Sequence, residues 1–224
     1  MITLVLETST EAGGVALFRD EAIAFRETFT ADRSHSSDLF TVIERALAGG
    51  VRPDRIIAGL GPGSYAGVRI AIAAAIGLSI STGAELIGIP SIVALEEGEY
   101  LALGDARRGG FALSHIRDGA LAAGPEILTR EELDARLAAT SLPLYTSDPL
   151  GWEGVETRFP QVERLGRLGV QGRGIHSRGT LEPLYLREPS ITLPKTIDHC
   201  GSKADDSQKP GAPRREPAPP SSQL

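Results

Sequence analysis

The pattern of apolar and polar positions predicts a series of short strands at the start of the chain. The first segment, Ile2 to Glu7, is short, apolar and β-branched, which is typical of a buried strand. Four further segments are also predicted to be strands: Val15 to Arg19, Ala22 to Phe29, Arg55 to Leu60 and Glu85 to Ile89. The first two of these four predict an antiparallel hairpin that turns at Asp20 and Glu21.

Two longer segments between these strands have the period of a helix. From Ser37 to Ala48, apolar residues recur at the spacing of one helical face, and Gly49 and Gly50 can end that helix. The second predicted helix, Ala66 to Thr82, follows a glycine-rich turn.

The second predicted helix is apolar on two faces. Arg69 is its one charged residue between Val68 and Ile80. A helical wheel places five residues on one face, Ile70, Ala71, Ala74, Gly77 and Leu78, and five on the opposite face, Arg69, Ile72, Ala73, Ile76 and Ile80. A helix that lies on a sheet needs only one apolar face. We therefore expect the second face to be covered by another protein and to be exposed in an isolated protomer.

The sequence of the first strands is echoed after Tyr100. Leu4 to Glu7, followed by Gly13 to Leu17, resembles Ala102 to Asp105, followed by Gly109 to Leu113. In both copies a strand ends in a carboxylate, and a polar turn and a Gly-Gly pair precede the next strand. This predicts two halves of one topology, at residues 1–98 and 99–194, with the second smaller than the first. Within the second half the pattern predicts a helix at 131–139, a strand at 143–146 and a weak, glycine-interrupted helix at 160–170.

Composition narrows the class of protein. The 224 residues include 41% hydrophobic and 23% charged residues, which is ordinary for a globular protein, and the formal net charge is −6. Such an acidic chain is a poor candidate for binding a nucleic-acid backbone by its own charge. A single cysteine, Cys200, excludes an internal disulfide and a thiolate zinc cluster.

The termini and the apolar runs predict a cytoplasmic protein without a membrane span. No apolar run reaches about 20 charge-free residues, and the start of the chain lacks a basic leader. Residues 195–224 are rich in proline and poor in aliphatic residues, so we expect a disordered tail in which Cys200 is a spare surface thiol.

Two acidic residues at strand ends are candidates for metal or nucleotide binding. Glu7, followed by Thr8, ends the first predicted strand, and Asp105 ends the equivalent strand of the second half. Two facing carboxylates could hold Mg²⁺ with its waters. The alternative, which we favour for Glu7 because such sites usually present aspartate, is a strand-end acid that accepts hydrogen bonds from the N–H groups of the following turn.

The turn from Gly61 to Gly67 has two interpretations of about equal weight. A strand, a turn containing Gly61, Gly63 and Ser64, and then a helix N-terminus together form a common anion-binding arrangement. The same residues also suit a tight turn, capped by Ser64, that lets a helix pack close to a sheet. The turn lacks the Lys-Ser/Thr of a phosphate-binding Walker loop.

No set of residues predicts a catalytic centre. The four histidines have no metal-ligand spacing, so we expect no metal site. Ser64 is not followed by the glycine that a serine-hydrolase elbow needs. We therefore predict no catalytic residues, no metal and no cofactor.

Three motifs together resemble the TsaB (YeaZ) family of bacterial tRNA threonylcarbamoyladenosine biosynthesis proteins. They are Leu4 to Thr10, Gly61 to Ile70, and Pro183 to Arg187, and Asp105 to Gly109 resembles a further segment of that family. The resemblance implies an actin-like ATPase fold of two ribonuclease-H-like halves. It also implies a non-catalytic subunit that binds the catalytic paralogue TsaD and the ATPase TsaE, so that contact with tRNA is only indirect. Contact with TsaD would use the first two helices, and a homodimer through the same helices is an open alternative.

Some residues depart from the family pattern, and two other functions remain as alternatives. Glu7 replaces the usual aspartate, and Tyr65-Ala66 replaces Phe-Thr, so any anion or nucleotide site formed by Glu7, Thr8 and the glycine-rich turn is predicted to be vestigial. The alternatives are an active kinase or ATPase of the same fold, which would need working phosphate loops and a general base, and a glycoprotease-like metallopeptidase, which would need a histidine pair.

Overall fold

Two β-sheets with helices on their faces form the part of the chain that the computed structural model describes, residues 1–30, 35–177 and 179–186. One sheet has six strands and the other has five. The predicted tail and Cys200 lie outside the described residues.

The first run of elements contains the predicted strands and helices. It comprises β1 (Ile2–Glu7), β2 (Ala12–Arg19), β3 (Ala22–Thr30), α1 (His35–Ala46), β4 (Arg55–Gly59), α2 (Tyr65–Thr82), β5 (Glu85–Ile89) and a 3-10 turn at Ser91–Ala94. β1 and β5 begin and end at the predicted residues.

The second run contains the strands and helices predicted between residues 99 and 170, and two further strands, but no strand at Leu184 to Leu186, where the sequence also predicts a final short strand. It comprises β6 (Glu99–Asp105), β7 (Phe111–Arg117), β8 (Ala120–Leu128), α3 (Arg130–Ala138), β9 (Leu144–Thr146), β10 (Glu156–Thr157), α4 (Val162–Val170) and β11 (Ile175–Ser177). The sequence pattern predicts neither β10 nor β11, which have two and three residues.

The two sheets share one topology, as the sequence echo predicts. The first sheet has the order β11-β5-β4-β1-β2-β3, and the second has the order β10-β9-β6-β7-β8. In each sheet three consecutive strands form an antiparallel meander, and a parallel strand lies on the other side of the first one, as in the β1–β4 and β6–β9 pairs. This repeated order confirms an α/β, actin-like fold of two ribonuclease-H-like halves. The second half is reduced, since β9 and β10 are very short.

Alternation along the strands explains how the helices cover the sheets. Leu4 and Leu6 point to the face on which α1 and α2 pack, whereas Val5 points to the opposite face and to α4. That second apolar core also includes Tyr100 and Ile116 of the second sheet, so the two halves share it. A third core lies under α3.

Two elements near the end of the described chain, α4 and β11, pack on or pair with the first sheet. β11 pairs antiparallel with β5, where His176 Nδ1 lies 2.6 Å from Glu85 Oε1. α4 packs on β1 and β2 through glycines, because a Cβ atom on Gly166 would lie 2.1 Å from the Phe18 ring. The glycines that weaken this helix in isolation are therefore its packing surface.

Candidate functional site

The candidate anion site is a junction of two turns that pack backbone against backbone. The turn after β1 holds Thr8 and Ser9, and the glycine-rich turn before α2 lies directly against it. Ser64 N donates to the Ser9 carbonyl oxygen at 2.6 Å. A Cβ atom on Gly63 would lie 2.0 Å from that same oxygen, so only glycine permits this approach.

The first turn of α2 is closed by the protein's own groups. The Ser64 side chain caps the helix by accepting from Gly67 N at 3.2 Å. Thr8 Oγ1 donates to the Gly67 carbonyl at 2.7 Å, and a Cβ atom on Gly67 would lie 2.0 Å from the Thr8 carbonyl oxygen. The N–H groups of Ser64 and Gly67, two of those that could bind an anion at this helix end, are thus already bonded within the chain.

Glu7 is fully buried beside this junction. Its Oε1 accepts from Ser9 N, while its Oε2 has no hydrogen-bond partner among the described residues. Oε2 lies under Gly59 next to Ser91, since a Cβ atom on Gly59 would be 1.9 Å from Oε2 and 2.7 Å from Ser91 Oγ. Burial raises the pKa of the Glu7 carboxyl above its usual value, and the Ser9 and Ser91 groups oppose that shift. This environment favours the neutral acid over a carboxylate that holds a cation.

Asp105 occupies the equivalent place on the second sheet. Its Oδ1 accepts from Arg107 N at 2.7 Å, as Glu7 Oε1 accepts from the N–H two residues later. Its own N–H donates to Asp148 Oδ2 at 2.6 Å. Both strand-end acids therefore bond to their following turns. No group of three or more histidine, cysteine, aspartate or glutamate side chains among the described residues is arranged to hold a metal.

The structure corrects the orientation of α2. Ile72, expected on the exposed face, is 5% exposed and lies in the core with Val68 and Ala75. The exposed side of α2 runs along Ala66, Arg69, Ala73, Gly77 and Ile80, and Ile76 is half-buried. Ile80 is 77% exposed, and we call this side the α2 face.

The length and composition of α2 would also suit a membrane span. Its 18 residues have a mean hydropathy of 1.5, and a third of the helix is buried. One side of the helix packs on β1, β4 and β5, which accounts for part of its apolar character. Other apolar residues lie on the α2 face, which nothing in the described part of the chain covers.

An aromatic cluster extends the α2 face at its N-terminal end. The Tyr65 ring stacks on Tyr185 with a centroid distance of 5.7 Å, and the Arg69 guanidinium lies 4.7 Å from the Tyr65 centroid. Both tyrosines are substantially exposed. The sequence motif at Pro183 to Arg187 indicates the family, but no local pattern indicates that Tyr185 would meet α2.

Comparisons with known proteins relate the chain to tRNA modification. A family model described as "TsaD: tRNA N6-adenosine threonylcarbamoyltransferase" matches residues 29–118, which include α1 and α2. The tRNA threonylcarbamoyladenosine biosynthesis protein TsaB of Escherichia coli is 27% identical over 215 residues, covering 88% of this chain and 84% of that protein. The TsaB of Haemophilus influenzae is 34% identical over 102 residues, covering 43% of this chain and 42% of that protein.

Two solved structures from Pseudomonas aeruginosa share the fold. One, described as an uncharacterized protein with similarity to peptidase YeaZ, has a TM-score of 0.66 at 24% identity. The other, described as YeaZ, has a TM-score of 0.62 at 22% identity. Each comparison covers 83% of this chain and 99% of the other.

Proposed function

This chain belongs to the TsaB (YeaZ) family, and on that premise we propose that it is a non-catalytic scaffold subunit in tRNA threonylcarbamoyladenosine synthesis. It binds a TsaD-like catalytic paralogue, works with a TsaE-like ATPase, and acts in the cytoplasm. The modified adenosine next to the anticodon would be held by the paralogue, so contact of this chain with tRNA is mainly indirect.

The α2 face is the observation that carries this proposal. Ile80 is highly exposed and lies beside Ala73 and Gly77. This exposed apolar surface does not stabilise a monomer, whereas its burial against a partner favours association. On α1, Phe40 is 54% exposed and adds a second apolar side chain to the helix pair. A standard interface buries about 1,600 Å² in total, which a pair of helices with flanking aromatic residues can supply.

The partner we favour is the paralogue because the TsaD model matches the segment that contains α1 and α2. If both chains carry the same helix pair, the two pairs can pack about an approximate two-fold axis. A homodimer would use the same helices and would compete with the heterodimer. The interface therefore comprises Arg69, Ala73, Ile76 and Ile80, while Ile72 supports it from the core.

The absence of catalysis is supported by the turn junction. Two of the N–H groups at the start of α2, those of Ser64 and Gly67, are bonded within the chain, and Glu7 is buried with a raised pKa. A kinase or ATPase of this fold would need accessible phosphate donors and an ionised acid at these positions. A metallopeptidase would need a ligand set that the described residues do not contain.

Ile80→Asp should abolish binding to the TsaD-like paralogue while leaving the monomer folded. The charge would be buried without a partner in the complex but would be hydrated in the free chain, so it acts on association alone. Size-exclusion chromatography of the mixed proteins and circular dichroism of the variant measure the two effects.

Two further variants make that test specific. Ile127→Asp on β8, where the isoleucine is 39% exposed, should leave binding unchanged, and Ile72→Asp should unfold the monomer because Ile72 is in the core. Normal binding by Ile80→Asp would contradict the proposed interface. Sedimentation of the wild-type chain with lipid vesicles, lost in Ile80→Asp, would instead assign the α2 face to a membrane.

The isolated chain should hydrolyse neither ATP nor peptides. Phosphate release and cleavage of a fluorogenic peptide library, each measured with purified protein, provide the test. Turnover that disappears in both Glu7→Gln and Asp105→Asn would support the kinase-like alternative, because only a reaction at the two strand-end acids would be sensitive to both changes.

A further inference from the structure

The hairpin loop between β6 and β7 holds two arginines in an unfavourable backbone conformation. Arg107 and Arg108 have φ values of 63° and 54°, in the left-handed region that residues other than glycine rarely adopt. At the turns of the β2–β3 and β7–β8 hairpins the strained residues are Asp20 and Asp118, and aspartate is a residue type that tolerates this region. Arginine has no such tolerance, so its presence at two successive positions calls for an explanation outside folding.

The loop is fixed and its guanidinium groups face solvent. Ala106 N donates to the Gly110 carbonyl at 3.0 Å, and Gly110 N donates to the Arg107 carbonyl at 3.1 Å. The Arg107 side chain is 84% exposed and its guanidinium lies 3.2 Å from Asp105 Oδ2. Arg108 is exposed and has no ion-pair partner in the described part of the chain.

The position of the loop relates it to the α2 face. Tyr185 stacks on Tyr65 at the start of α2, and the next residue, Leu186, lies 3.7 Å from a Cβ atom built on Gly104, just before Asp105. The segment from Tyr185 to Leu186 therefore connects the rim of the α2 face to the base of the arginine loop.

We propose that Arg107 and Arg108 bind phosphate diester groups of the tRNA that the assembled complex holds. This inference rests on the proposed function, and it adds a direct RNA contact that the paralogue's own surface would not supply. The tip of the loop exposes no apolar side chain, because Ala106 is buried and the remaining residues are arginine and glycine. A protein interface needs an apolar centre, whereas phosphate binding needs only cationic donors. Two arginines on an otherwise acidic chain would be a local contact and not a basic arm.

The double variant Arg107→Gly/Arg108→Gly separates RNA binding from folding. Glycine adopts positive φ without strain, so the variant should unfold at the same or a higher denaturant concentration than the wild type. The complex of the full-length variant with the TsaD-like paralogue should bind tRNA more weakly. Its plot of log affinity against log salt should be shallower by about 1 for each lost contact.

A control removes the same charge elsewhere. Arg19→Gln/Arg52→Gln takes two arginines from the amino end of the first sheet, the end opposite Glu7, and should leave tRNA affinity and salt slope unchanged. An unchanged slope in the glycine variant, or a loss of its stability, would overturn the inference while the proposed function stands. Weaker assembly with the paralogue in the absence of RNA would assign the loop to carboxylates of a protein partner. Failure of the wild-type chain to bind the paralogue would overturn the proposed function and this inference with it.

Discussion

Gly67→Ala should lower the free energy of unfolding by about 3 kcal/mol, which is a large effect for adding one methyl group. The new Cβ atom would lie 2.0 Å from the Thr8 carbonyl oxygen, and that oxygen belongs to the backbone of a buried turn that cannot rotate away. The turn and the first turn of α2 would have to separate, with loss of the hydrogen bond from Thr8 Oγ1 to the Gly67 carbonyl.

Gly77→Ala is the matched control in the same helix. A Cβ atom on Gly77 would meet nothing within 4 Å, so the change should raise the free energy of unfolding by about 0.5–1 kcal/mol through helix propensity. Urea titrations of both variants give the two values. If Gly67→Ala were as stable as the wild type, the turn junction would be looser than its contacts indicate, and an anion site there would again be open.

The orientation of α2 could not be predicted from the sequence because the helix is apolar nearly all round. A helical wheel assigns a buried side only when polar residues mark the other side, and Arg69 alone leaves that direction undetermined within about a third of a turn. The helical wheel places Ile72 and Ile80 on the same exposed face. The side exposed in the structure is rotated about the helix from that prediction, and Ile72 packs in the core. The residues far from this boundary, Ala73 and Ile80, are exposed as predicted.

The candidate site was predictable where residues near in sequence act together. The Ser64 cap follows from a strand, a turn and a helix in succession, whereas the need for glycine at position 63 comes from the distant Ser9 carbonyl. The partner of that turn is a segment more than fifty residues earlier, and no local pattern pairs Thr8 with Gly67. The left-handed backbone conformation at Arg107 also could not be predicted from the sequence, because a non-glycine residue such as arginine rarely adopts a positive φ.

Glu7 gives the first sheet a pH dependence with a defined sign. Burial raises its pKa in the folded protein above the value of about 4.5 that it has when exposed. The folded state then binds the proton more tightly than the unfolded state. The contribution of Glu7 to stability is complete below the unfolded pKa and is lost as the pH rises through the folded pKa, with a slope of up to about 1.4 kcal/mol per pH unit.

Glu7→Gln should remove this pH dependence and stabilise the protein at neutral pH, because the amide stays uncharged and can still accept from Ser9 N. Urea denaturation at several pH values from 4 to 8 should give curves for wild type and variant that meet at low pH and diverge as the pH rises. Glu11→Gln, at an exposed position in the same turn, removes the same charge and should leave the wild-type profile unchanged. Parallel profiles for wild type and Glu7→Gln would contradict this prediction, since they would mean that Glu7 titrates alike in the folded and unfolded states. A bound cation or water would then have to supply the partner that Oε2 of Glu7 lacks among the described residues. The interpretation of the two strand-end acids as groups that only bond to their turns would be wrong for Glu7, the more buried of the two.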